Sequence, residues 1–82
     1  MSRNLKIALE TLETLEKHGE LTDYDRLGRF CASGGARVQF RNGTNELICC
    51  GVKGTATSGA AKELLASWTR AARRRLARKA GA

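Results

Sequence analysis

The sequence predicts an α+β fold in the order helix, helix, antiparallel β-hairpin, long C-terminal helix (ααββα), on two observations. Apolar residues recur every three or four positions from Leu5 to Leu15 and again from Ala61 to Leu76. Between those stretches they alternate with polar residues on either side of Asn42-Gly43. With 82 residues and no proline, the chain supplies one small core, read as a single domain over residues 1–82. Cores of this size often gain stability from a metal, a disulfide or a second subunit, so self-association is an expectation.

Leu5, Ala8, Leu9, Leu12 and Leu15 share one stripe of the first helix, while Lys6, Glu10, Glu13 and Lys17 fall outside it. Gly19, after His18, is a candidate left-handed stop. The second helix opens with Thr22-x-x-Asp25, a capping box whose carboxylates Asp23 and Asp25 also suit the helix dipole. Leu27 and Cys31 occupy one side of it, flanked by Tyr24 and Phe30, and Gly34-Gly35 ends it. Ala36, Val38 and Phe40 then alternate with Arg37, Gln39 and Arg41, and Asn42-Gly43 supplies the positive φ angles of a tight turn. The returning strand is expected from Glu46 to Val52, with Leu47 and Cys49 matching Val38 and Phe40 on the core face. That assignment leaves Ile48, Cys50 and Val52 as a surplus apolar face with two open strand edges. Either another strand pairs with the hairpin, for instance from a second copy, or a helix covers that face, and a homodimer or another docked partner is expected. Lys53 to Thr57 reads as a glycine and threonine loop, with Ser58 capping the last helix. Ala61, Leu64, Leu65, Trp68, Ala72 and Leu76 form the apolar face of that helix, and Trp68 is its anchor. The stripe stops at Leu76, so residues 77–82 are expected to fray or project.

Three cysteines, Cys31, Cys49 and Cys50, and one histidine, His18, make a disulfide framework or a four-ligand zinc site improbable. No metal or cofactor is expected. Reduced cysteines acting as small apolar fillers fit a cytoplasmic protein. No long apolar run suggests a membrane span, and Glu10, Glu13 and Glu16 interrupt any secretory leader. Catalysis is not expected either. His18 sits at a helix end, Gly51-x-x-Gly54 lacks the lysine and hydroxyl of a phosphate loop, and Cys50 has no base beside it.

Charge is the strongest functional signal. Residues 1–30 carry five basic and six acidic side chains, net −1, whereas residues 31–82 carry ten basic and two acidic, net +8. Six of those ten lie between Arg70 and Lys79. On a helix Arg70, Arg73, Arg74 and Arg78 fall within about 140° of arc, opposite Trp68 and Leu65, as one guanidinium stripe. Arg75 falls outside it and is read as replacing an apolar residue. Planar guanidinium forks suit bidentate contact with phosphate or carboxylate. Compensating a helix dipole needs only one or two cations. Arg37 and Arg41 project together from the hairpin and join the stripe as candidate phosphate contacts. Gln39, Asn42 and Asn45 are the available base readers.

The segment Gly51 to Leu76, GVKGTATSGAAKELLASWTRAARRRL, resembles the last strand, glycine loop and serine-started helix of double-stranded RNA-binding domains. In that family lysines after the serine grip phosphates. Here Gly59 and Ala60 follow Ser58, and Lys62 is the basic residue nearby. In style, the short alanine- and arginine-rich chain also resembles small phage accessory proteins, including inhibitors of the anti-CRISPR type. The resulting expectation is a non-enzymatic regulator or inhibitor. It would dock on an acidic protein or nucleoprotein through the basic helix and the hairpin face. The alternative is direct DNA or RNA binding through Arg37, Arg41 and the stripe from Arg70 to Arg78.

Overall fold

The computed structural model describes residues 4–57 and 60–81; side chains of Gly34 and residues 79–81 are outside that description. It comprises α1 (Leu5–Glu16), α2 (Asp23–Gly34), β1 (Arg37–Arg41), β2 (Thr44–Cys49), β3 (Val52–Ala56) and α3 (Ala61–Gly81). The fold is α+β, with an antiparallel sheet in the order β1-β2-β3. The third strand replaces the expected loop at Lys53 to Thr57.

Two tight turns of the same kind build the sheet. Asn42 and Gly43 have φ of 52° and 76°, and Cys50 and Gly51 have 55° and 76°. Each pair is a two-residue connection, closing Arg41 onto Thr44 and Cys49 onto Val52. The expected strand from Glu46 to Val52 therefore breaks at Cys50. Because Val52 pairs with Cys49, it takes the face of Cys49 and not that of Ile48. Val52 is 3% exposed, in the core, and Cys50 is half-buried at the turn. The surplus apolar face of Ile48, Cys50 and Val52 does not exist as a unit, so it gives no basis for a dimer.

Leu47, Cys49, Val52 and Ala56 form the inner face of the sheet, and α3 lies across β3 and β2. Trp68 is fully buried, as its anchoring role requires. Its ring meets Phe30 of α2 edge-on, with centroids 4.9 Å apart, and its Nε1 donates to the Cys49 carbonyl at 3.4 Å. Phe30 is thus the centre of the α2 contact, with Leu27 and Cys31 half-buried beside it and Tyr24 exposed. Leu5, Ala8, Leu9 and Leu12 complete the core from α1. Phe40 does not: it lies on the inner side of β1, away from the main contact of α3 with β3, and is 70% exposed.

The helix ends are only partly as predicted. The Thr22 and Asp25 capping box forms in both directions, and left-handed Gly35 closes α2. Asn4 Oδ1 caps α1 by accepting from the Lys6 amide at 2.8 Å. Gly19 is not left-handed. The end of α1 is instead held by Arg26, whose guanidinium donates to the carbonyls of Leu15 (3.2 Å) and His18 (3.0 Å). The Ser58 cap lies outside the described residues.

Candidate functional site

On α3, Ala71, Arg74, Arg75 and Arg78 fall within about 100° of arc, beside the apolar face rather than opposite it. That face meets the β2–β3 turn. Together with Val52 and Lys53, these four residues line an open groove of about 240 Å³. Four of its six lining side chains are cationic and none is acidic. Arg75 is oriented by a hydrogen bond from Nη1 to the Gly51 carbonyl at 3.1 Å. Lys53 is 54% exposed and shares its charge with Glu46, Nζ to Oε2, at 3.4 Å.

The expected single stripe therefore divides. Arg74 and Arg78 enter the groove with Arg75 and Lys53. Arg73 lies on the opposite flank of α3, where its Nη2 donates to Glu13 of α1 at 3.2 Å. Arg70 is exposed and lines neither groove. The Lys79 side chain is outside the described residues. Sequence reasoning missed Lys53, placed in a loop, and Arg75, treated as an interruption. The signal for both was the Cys50-Gly51 turn, which folds the chain back under the end of α3.

Arg37 and Arg41 are exposed on the outer face of the sheet, which α3 does not cover; of the groove residues, Lys53 projects to that face, two strands away, and the three arginines do not. That outer face centres on Glu46, only 7% exposed. Gln39 Nε2 donates to its Oε1 at 2.7 Å, and this bond, with Lys53 and Arg41 nearby, holds its carboxyl below the usual glutamate range. Gln39 is thereby occupied, and Asn42 sits in the turn. Lys62, at the other end of α3, lines a second groove of about 280 Å³ with Glu16, Asp23 and Arg26, where opposite charges mix. Positive charge thus concentrates at the C-terminal half of α3.

Burial pushes the Cys31 thiol up, away from thiolate reactivity. Cys49 and Cys50 are unbridged, with sulfurs 3.6 Å apart. His18 Nδ1 lies 3.3 Å from Glu20 Oε1 at the surface. Among the described residues no group of three His, Cys, Asp or Glu is placed to hold a metal, and no helix is long and apolar enough to cross a membrane. No family model, curated protein or solved structure matches this chain.

Proposed function

We propose that the chain is a non-enzymatic, cytoplasmic binding protein that docks its α3 groove on an acidic surface of a protein or nucleoprotein. One observation carries this reading: Lys53, Arg74, Arg75 and Arg78 line a single groove without a lining carboxylate. Glu46 balances Lys53 in part, but holding Arg74, Arg75 and Arg78 together is unfavourable unless a partner neutralises them. Dipole compensation at the end of α3 accounts for one or two of them, and Lys53 belongs to another element. A regulatory or inhibitory outcome fits a small docking protein of this kind.

Direct nucleic-acid binding is the second reading, favoured by the guanidinium forks of the groove but weakened by the separation of Arg37 and Arg41 from its α3 arginines. Fluorescence anisotropy separates the two with a labelled oligoglutamate and a labelled mixed-sequence duplex at physiological salt. The docking reading predicts capture of the oligoglutamate. Arg74→Ala with Arg78→Ala weakens it by about tenfold, and Arg70→Ala changes it by less than about twofold. No capture, or equal loss in the Arg70 variant, would refute it. If the duplex alone binds, with a salt slope that falls by about two in the double variant, the second reading replaces it.

A further inference from the structure

The two edges of the sheet differ. At the β3 edge the outward Thr55 amide donates to Ser67 Oγ of α3 at 3.0 Å, so the helix closes that side. At the other edge β1 has β2 as its one extensive neighbour among the described elements. Arg41 and Thr44 close a two-residue turn and form a bonded pair, so bonded pairs recur at Gln39 and Arg37. The peptide groups of Val38 and Phe40 therefore point away from β2, to the open edge. Their side chains, 43% and 70% exposed, line the inner side of that edge, and Arg37 and Arg41 stand exposed on the outer side.

We infer that β1 accepts an extended segment of a partner protein as a fourth antiparallel strand, and that this segment alternates acidic with apolar residues. Main-chain bonds to Val38 and Phe40 supply the attachment, while cross-strand neighbours supply the selection. Apolar side chains cover Val38 and Phe40. Carboxylates on the other face meet Arg37 and Arg41. A second copy of this chain does not fit: the two-fold pairing that uses all of β1 centres on Gln39 and sets each Arg37 against the other copy's Arg41. Like charges directly opposite oppose that pairing. Arginines on an edge also guard against indiscriminate pairing, but a guarded edge has no use for a phenylalanine left 70% exposed. The inference does not use the arginines of the groove: Arg74, Arg75 and Arg78 belong to α3, which packs on β3 and β2, and Lys53 alone of the groove residues shares the outer face, about 10 Å from β1.

The test uses the full ¹⁵N-labelled chain with a synthetic peptide alternating Glu and Val, and a counterpart carrying Lys for Glu. The Glu peptide is expected to bind at least about tenfold more tightly. At saturation it slows exchange of the Val38 and Phe40 amides. Arg37→Glu with Arg41→Glu reverses the preference, and Phe40→Ser weakens both peptides, circular dichroism confirming that each variant is folded. Arg74→Glu with Arg78→Glu leaves peptide affinity within about twofold, which separates this edge from the groove. Equal affinity for the two peptides, or unprotected Val38 and Phe40 amides, overturns the inference. So does loss of binding in the groove variant, or protection that rises with protein concentration in the absence of peptide.

Discussion

Gly54 is where the sheet and α3 approach most closely. A Cβ there would collide with the Trp68 backbone nitrogen and lie 2.6 Å from Trp68 Cα and 2.9 Å from its Cβ. Backbone cannot step aside as a side-chain tip can, so Gly54→Ala is expected to cost about 1–3 kcal/mol in urea denaturation. Gly28 offers the contrast. It lies inside α2 with nothing within 4 Å of its missing Cβ, so Gly28→Ala should add about 0.5–1 kcal/mol through helix propensity. From sequence, Gly54 reads as loop punctuation, because its requirement comes from a helix many residues later. Trp68 was legible for the opposite reason: its size and its place in a helical apolar stripe already dictate burial.

Among the elements, α1, α2, β1 and α3 follow from periodicity and capping, whereas β3 does not. Its inward residues Val52, Gly54 and Ala56 are mostly small, because α3 lies so near, and small residues blur the alternation that marks a strand. Its turn also hides, since Cys50 occupies a left-handed position where asparagine is the common choice. Cys50→Asn should therefore raise stability by up to about 1 kcal/mol in thermal unfolding, and no gain would show that the side-chain contacts of Cys50 outweigh backbone strain. The α1–α2 corner depends on Arg26, which bonds two carbonyls and pairs with Asp23 at 3.2 Å. Arg26→Met should lower stability by about 1–2 kcal/mol and speed amide exchange between Leu15 and Leu21. Unchanged exchange there would assign the corner to packing alone.

Across the whole molecule, the asymmetry of charge was legible in the sequence, but its division among surfaces was not. Periodicity places Arg70, Arg73, Arg74 and Arg78 on one helix face; only tertiary partners, Glu13 on one flank and the Cys50-Gly51 turn on the other, separate them. Acid stability tests the outer sheet face. Hydrogen bonds hold Glu46 and Asp25 below their ordinary ranges, from Gln39 for Glu46 and from the Thr22 amide for Asp25. The unfolded chain then binds protons more readily. Their contribution is present above the ordinary carboxylate range, about pH 4, and is lost as pH falls through and below it. Glu46→Gln should flatten part of that acid limb in pH-dependent denaturation, and an unaltered limb would remove Glu46 from the account.

The groove itself is best interrogated by following arginine Nε–Hε resonances and backbone amides of the full chain while oligoglutamate is added. We expect Arg74, Arg75 and Arg78 to shift together with the amides of Gly51 to Lys53, while Arg70 and Arg73 stay in place. Shifts spread evenly over every arginine, or absent from Arg74, Arg75 and Arg78, would contradict a docking function built on this corner of the fold.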